Sequence, residues 1–390
     1  MQMVLFSWLI TIVLGEAPDR VGAAQTVSML PGLLLTLYGG AVADRHDGRR
    51  LLVLVHALSV IPHLVLAAAI VSGRLSYAGV VAYAMGLGAL GAFTMPTRDS
   101  LLSRVSGPNL QRAVSAAMAV QNLFQLGGIA LGGAAVYLGA PLLLVASAVL
   151  MAAGGVATLR LAPAPPALRL GADRGTAHEI LEGLREVLRS PRLAPPTVLA
   201  LGIGLFFVGS FSVALPLLVR DVYGGSSPEI AALQASLMTG MLLAIVGLLV
   251  VGGVRRPGRA LLVGLGLGSV VLAAVSLGPP LYGLYALIFL WGMCGGVGMT
   301  ASRSLVQEAA RPSHRARVLS VYQLGFAATA PLGALAMGLL IERVGALHSL
   351  VYPSAGMLAA VLATALRSDL WSLELSATDR PDAGAARRAR

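Results

Sequence analysis

The sequence predicts an all-α membrane protein: two six-helix bundles, twelve transmembrane helices in all, the first of them truncated. Three observations carry this. Of 390 residues, 57% are hydrophobic and only 12% are charged, and the mean hydropathy is +0.82. A soluble domain carries about 25% charged residues, and half that share cannot cover a water-facing surface of this size. The apolar residues also fall in blocks close to the roughly 20 residues that a helix needs to cross hydrocarbon. Finally, the basic residues between those blocks crowd onto alternate connections, as the positive-inside rule requires.

The first block, 3–14, has 12 residues, about 18 Å of helix against ~30 Å of hydrocarbon. It lacks the basic leader and small-residue cleavage site of a signal peptide, so it reads as half of a first span whose cytoplasmic half is absent. Spans 2–6 follow at 21–43, 51–71, 75–95, 113–136 and 139–159, closing an N-terminal bundle over 1–159. The connector 160–194 opens Pro-rich and then becomes an amphipathic helix. Ile180, Leu184, Val187 and Leu188 share one face at 3–4 spacing, and Glu182 and Glu186 precede Arg185 and Arg189 by three residues. Spans 7–12 read at 195–218, 230–253, 260–278, 281–300, 318–341 and 347–366, a C-terminal bundle over 195–366. The tail 367–390 is Ala/Arg-rich and is expected to be a disordered cytoplasmic segment.

All 28 basic residues are arginine. With the connection between spans 2 and 3 placed inside, 24 of them lie on that side, and only Arg20, Arg74, Arg220 and Arg343 lie on the other. This orients the chain as a multi-pass protein of a bacterial inner (plasma) membrane with a cytoplasmic C-terminus. The halves echo each other. An offset of 205 pairs Arg98 with Arg303, Ser115 with Ser320, Gly128 with Gly333 and Gly133 with Gly338, and an offset of 210 pairs Gly48-Arg49 with Gly258-Arg259. Such a repeat is the sequence trace of a transporter built from two related bundles.

Gly40-Ala41-Val42-Ala43-Asp44-Arg45-His46-Asp47-Gly48-Arg49-Arg50 closes span 2 and turns into span 3. It resembles the loop 2–3 signature of the major facilitator superfamily (MFS), with His46-Asp47 inserted before Gly48 as in its enterobactin-exporter-like branch. The same branch is resembled by Met95-Pro96-Thr97-Arg98-Asp99-Ser100-Leu101-Leu102 after span 4 and by Glu182–Pro191 before span 7. Leu215–Asp221 ending span 7 and Arg315–Ser320 entering span 11 resemble it too. The resemblance covers residue 2 to about 366 and implies the MFS fold. It implies a gating role for Gly40, Asp44, Arg45, Arg49 and Arg50, in which Gly40 lets two helices approach and Asp44 pairs with arginines across the bundle in one conformation. It further implies export of a siderophore or amphipathic small molecule by alternating access, with proton antiport as the coupling. One departure weakens the antiport expectation. Gly128-Ile129-Ala130-Leu131-Gly132-Gly133 keeps the glycines of the span 5 exporter stretch but not its proline, so Gly128, Gly132, Gly133, Gly333 and Gly338 read as helix-packing positions.

Candidates for the substrate path are the amides and aromatics inside spans. They are Gln25 on span 2, Gln121, Asn122 and Gln125 on span 5, Gln234 on span 8, Trp291 on span 10, and Tyr322 and Gln323 on span 11. An amide in hydrocarbon is costly unless bonded, so each is expected to face protein or water. His56 and His63, seven apart on span 3, read as structural or interfacial, because span 3 is peripheral in the family resembled. No carboxylate lies deep in a span.

The remaining features point away from other chemistries. The arginines form no basic face for nucleic acid. Cys294 is alone, so neither a disulfide framework nor a metal cluster is expected, and it reads as a small buried thiol. Gly86-Leu87-Gly88-Ala89-Leu90-Gly91 spells a dinucleotide motif but lies inside an apolar span, so it reads as packing, as do Gly264/Gly268 and Gly292/Gly296. No twin-Asp pair or G-x-S-x-G elbow suggests an intramembrane enzyme, and no cofactor is expected. The partners implied are a small-molecule substrate and the lipid bilayer, and the chain is expected to act as a monomer. The rival readings are an importer of a lipid headgroup or peptide on the same fold, and a non-transporting scaffold or receptor.

Overall fold

Helix after helix runs along one axis because the chain offers long apolar stretches with every backbone group satisfied internally, as a bilayer demands. The computed structural model describes residues 1–105, 110–161, 176–251, 256–310 and 315–372. The Pro-rich opening of the connector and the tail from 373 onward, expected to be disordered, lie outside the described residues.

The helices are α1 (Gln2–Val13), α2 (Pro18–Arg45), α3 (Gly48–Val71), α4 (Tyr77–Val105), α5 (Leu110–Gly133) and α6 (Ala140–Leu159). After a connector helix (Thr176–Arg189) come α7 (Ala194–Asp221), α8 (Ser227–Val250), α9 (Pro257–Val275), α10 (Leu281–Ala309), α11 (Arg315–Val344) and α12 (Ala346–Arg367). Nine of these are long and apolar enough to cross a membrane, among the described residues. The other three are α1, with 12 residues, α2, which carries Gln25, and α5, which carries Gln121, Asn122 and Gln125. Side chains pointing away from the protein are apolar. On α3 the outward stripe is Leu54, Leu58, Ile61, Leu64 and Val65, the reverse of a soluble surface.

The packing repeats with an offset of six helices. α2 packs on α4, and α3 on α4 and α6; α8 packs on α10, and α9 on α10 and α12. The two sets meet through α2 with α11 and through α8 with α5, a pair of contacts that the same offset interchanges. Glycines set these approaches. A Cβ at Gly132 would sit 2.7 Å from Val4 Cβ, at Gly133 2.7 Å from Ala231 Cβ, at Gly338 2.6 Å from the Pro18 carbonyl, and at Gly128 2.9 Å from Met1 N. Gly333 is pressed on the Leu205 carbonyl. In the dinucleotide-like run, Gly88 faces the Ser28 carbonyl, while Gly91 faces open space. Gly264, Gly292 and Gly296 sit against neighbouring backbone, and Cys294 is half-buried between α9 and α10 rather than fully buried.

Each set is also tied near its arginine-rich end. Asp47 caps α3, accepting from Arg49 N (2.9 Å) and Arg50 N (3.3 Å), and the Arg49 guanidinium donates to the Leu159 carbonyl at the end of α6. In the other set Arg259 donates to the Trp371 carbonyl (2.9 Å) beyond α12 and lies over the Trp371 ring. The repeated Gly-Arg thus joins the third helix of each set to the sixth. The connector helix docks on α11 through Val187, 2% exposed, and through Gly183 against the Arg317 carbonyl. Glu182 pairs with Arg317 at 2.7 Å. Leu184 and Leu188, expected on the same apolar face, are exposed, because that docking uses only one edge of the helix.

Candidate functional site

Where α1, α2, α4, α7 and α8 converge, they enclose a cavity of about 290 Å³. Two amides define it. Gln25 and Gln234 occupy the eighth position of α2 and α8, the pair of helices related by the internal repeat, and both line the cavity. Four residues further along, Met29 and Met238 repeat the match, 209 apart like the glutamines. The other pair of repeated helices does the same: Phe6-Ser7 on α1 and Phe211-Ser212 on α7 are 205 apart, and all four line the cavity. α1 and α7 also share π-helical turns, at Leu9–Val13, Ile203–Val208 and Ser210–Ala214. The wider π turn brings the Ser212 carbonyl within 3.1 Å of Gln25 Nε2, which donates to it.

The rest of the wall is Gln2 and Met3 from α1, Ser28 from α2, Tyr83, Ala84 and Leu87 from α4, and Val208 from α7. No lining residue carries a formal charge at neutral pH. Two polar atoms in this wall are buried without a hydrogen-bond partner among the described residues: the Tyr83 hydroxyl and Gln234 Oε1. Each such group costs about 1–3 kcal/mol.

The cavity is sealed on the arginine-poor side. Arg220 at the end of α7 donates to the Thr11 (3.0 Å) and Glu16 (2.7 Å) carbonyls, and Trp8 donates to Ser226 Oγ (3.1 Å). Ser227 Oγ donates to the Gly133 carbonyl (3.0 Å) and accepts from Val136 N (3.0 Å). Toward the arginine-rich side α2 and α11 part. Gly22 faces Gly338 closely, yet Gly40, five turns further along the same face of α2, meets nothing within 4 Å. Asn122 and Gln125 on α5 and Gln323 on α11 are exposed there. Amides of spanning helices do not face lipid tails, so this side is a polar vestibule.

The sequence matches the profile of the Major Facilitator Superfamily over residues 1–322 and again over 253–387. The chain belongs to the Major Facilitator Superfamily. No curated protein matches it significantly. Among solved structures it is similar to the nucleoside transporter NupG, with a TM-score of 0.71, 14% identity, and coverage of 94% of this chain and 96% of that one. A POT family transporter in complex with 5-aminolevulinic acid is similar with a TM-score of 0.68 and 13% identity, covering 94% and 92%. A bacterial homologue of the lysosomal transporter Spinster, in an inward-facing and unoccupied conformation, has a TM-score of 0.66 and 14% identity, covering 95% and 93%. At these identities the likeness establishes the fold.

Within this MFS member the expected site residues divide. Gln25 and Gln234 line the cavity, and Asn122, Gln125 and Gln323 lie toward the vestibule, with Gln125 Nε2 3.9 Å from Met238 Sδ across the α5–α8 junction. Gln121 is taken up by Arg98, which donates to its Oε1 at 2.8 Å. Trp291 and Tyr322 do not reach the cavity. Trp291 is 4% exposed and stacks edge-to-face on Phe207, filling the joint of α7, α9 and α10. Tyr322 donates to Ser302 Oγ (3.0 Å) inside an apolar cluster with Val187, Val306 and Val318. Both are large amphipathic side chains used in packing, with the Tyr322 hydroxyl bonded to Ser302, a use that span position alone does not distinguish from a lining role.

At the loop motif of this superfamily, the close approach in this conformation is made by Gly39, whose Cβ would strike the Ala92 backbone, while Gly40 meets nothing within 4 Å. Arg49 ties α3 to α6. The Asp44 and Arg45 side chains lie outside the described residues, and Arg50 N is held by Asp47.

Sequence reasoning missed Gln2, Phe6, Ser7, Ser28, Tyr83, Phe211 and Ser212. The 205-residue offset that pairs Arg98 with Arg303 also pairs Phe6-Ser7 with Phe211-Ser212, and was the available signal. His63 was expected to be structural. It is fully buried and reaches Gln2 in the cavity wall, Nε2 to Nε2, at 3.0 Å.

Proposed function

We propose that this MFS member is a secondary transporter that exports a small, uncharged, amphipathic solute by alternating access. The observation that carries the reading is the cavity itself. It lies at the repeat interface and is lined by two repeat-related amides, two phenylalanines and no formal charge. A charged solute would enter it unpaired, at a desolvation cost that the wall does not repay. A siderophore therefore fits only in uncharged form, and a lipid headgroup or peptide importer is disfavoured for the same reason. The neutral wall equally suits a nucleoside, the cargo named for one structural relative, and this is the second reading.

Residues 1–159 and 195–366 act in this proposal as the two rocking bodies, and the arginine-rich face is cytoplasmic. The seal on the opposite face then makes this an inward-open state. Export rests on the resemblance of the loop motifs, and proton antiport on that alone, since no carboxylate lines the cavity.

Two measurements test it. In a Cys294→Ser background, Ser28→Cys should react with a membrane-impermeant maleimide in inside-out vesicles and be protected in right-side-out ones. The reverse pattern would overturn the assignment of faces. Cells expressing the chain should accumulate uncharged amphipathic dyes less than cells without it. Equal accumulation across such a panel would sink export, and uridine uptake in its place would establish the nucleoside reading.

A further inference from the structure

His63 sits in the middle of α3, 0% exposed, and both ring nitrogens are engaged. Nδ1 is 2.7 Å from the Ser59 carbonyl of its own helix, and Nε2 is 3.0 Å from Gln2 Nε2 on α1. A carbonyl oxygen only accepts, so Nδ1 must carry a proton. In the neutral ring Nε2 is then a bare lone pair, and the Gln2 amide must donate to it through its NH2. The orientation of Gln2 is thereby set, with its carbonyl oxygen turned away from His63. Gln2 lines the cavity.

We infer that His63 is a positioning residue that decides which end of the Gln2 amide the cavity presents, an acceptor when the ring is neutral and a donor when it is protonated. Protonation places a second N–H on Nε2. The Ser59 bond is unaffected, but Nε2 now donates, and Gln2 must turn its oxygen to the ring and its NH2 to the cavity. One proton taken up at Nε2 thus inverts one hydrogen-bonding position of the wall without placing a charge in the cavity. The inference rests on the reading of that cavity as the substrate site.

The surroundings leave His63 free to do this. From α4 it meets the ring of Tyr83, a residue of the cavity wall, edge-to-face at 5.3 Å; the Tyr83 hydroxyl is buried with no partner among the described residues. From α1 no titratable side chain lies beside Gln2. On α3, His56 is two turns away, bonded to the Leu52 carbonyl and facing Gly154 of α6. Among the described residues no carboxylate or arginine is bonded to His63.

The test is histidine NMR on the full chain in nanodiscs, with ring-labelled histidine and His63 assigned by its loss in His63→Gln. At neutral pH the His63 signals should report the Nδ1–H tautomer, with Nε2 shifted as a hydrogen-bond acceptor. Gln2→Leu should move the Nε2 signal of that histidine alone. Acidification should convert it to the imidazolium, and the Gln2 side-chain amide signals should shift at the same midpoint. His63→Gln, which keeps a bonding partner for Gln2 but no titration, should leave the amide signals independent of pH. An Nε2–H tautomer, no response to Gln2→Leu, or a pH shift of the Gln2 amide that persists in His63→Gln would overturn the inference. These readouts need no substrate. Failure here while Ser28→Cys shows the expected accessibility refutes the switch alone, and success here while Ser28→Cys is inaccessible refutes the cavity's role.

Discussion

Gly22 on α2 and Gly338 on α11 touch backbone to backbone, so that a Cβ on Gly338 would lie 2.8 Å from Gly22 Cα. No other residue fits either position without forcing the two sets apart. Gly338→Val should therefore open the arginine-poor seal, since overpacking of this kind costs about 1–3 kcal/mol. The check is a thiol at Ser28→Cys, which should gain reactivity from the arginine-poor face by an order of magnitude or more. Unchanged reactivity would show that the seal does not depend on this contact.

Arg220 holds the same seal by polar means. It bridges the Thr11 and Glu16 carbonyls and pairs with Asp221, with its side chain 23% exposed. Arg220→Gln should weaken closure by about 1–2 kcal/mol, because charge-assisted bonds are among the stronger ones. The same accessibility assay reads the outcome, and combining Arg220→Gln with Gly338→Val should give a less than additive effect, because both act on one junction.

Gln234 illustrates a trade between stability and function. Its Oε1 is buried without a partner among the described residues. Gln234→Leu removes that burden and should raise the thermal midpoint of the purified protein, by the equivalent of about 1 kcal/mol. It should lower flux of any transported solute. A variant that is both less stable and fully active would refute the assignment of Gln234 to the solute. Gln25→Leu should behave differently, because Gln25 already bonds the Ser212 carbonyl; it should lower stability as well as flux.

Closure of the arginine-rich side can be tested from helix geometry. Gly40 and Ser320 lie five turns from Gly22 and Gly338 along two antiparallel helices, so the two positions face each other across the gap. Gly40→Cys with Ser320→Cys, in the Cys294→Ser background, should form a disulfide only when the two sets rock shut. Asp44 stands one turn beyond Gly40 on the same face, level with the start of α11, where Arg317 now pairs with Glu182. Asp44→Asn should reduce cross-linking and flux at least several-fold with expression unchanged. A phenotype unaffected by this change would instead favour a non-transporting scaffold.

The spans were legible because hydrophobic length and arginine bias are one-dimensional signals. Their ends were less so. α10 continues to Ala309 although its apolar block stops near 300, and α4 runs to Val105 beyond 95, since a helix needs no lipid to satisfy its backbone. The site was half legible. Gln25 and Gln234 announced themselves as amides in apolar surroundings. Phe6, Ser7 and Ser212 are ordinary residues of a membrane helix, marked in the sequence only by the 205-residue offset, and the π turn that brings the Ser212 carbonyl to Gln25 is not encoded by any pattern of residue types. Trp291 and Tyr322 misled for the converse reason, since a polar atom on a large ring is as useful in a joint as in a channel.

The ties from Arg49 to Leu159 and from Arg259 to Trp371 close each group of helices upon itself. Synthesis from the N-terminus can thus complete and brace the first group while the ribosome is still translating the second. The solute chamber cannot form at that stage, because Val208, Phe211, Ser212 and Gln234 have not yet entered the membrane. The order of birth keeps a half-made protein from offering an open polar hole in the bilayer.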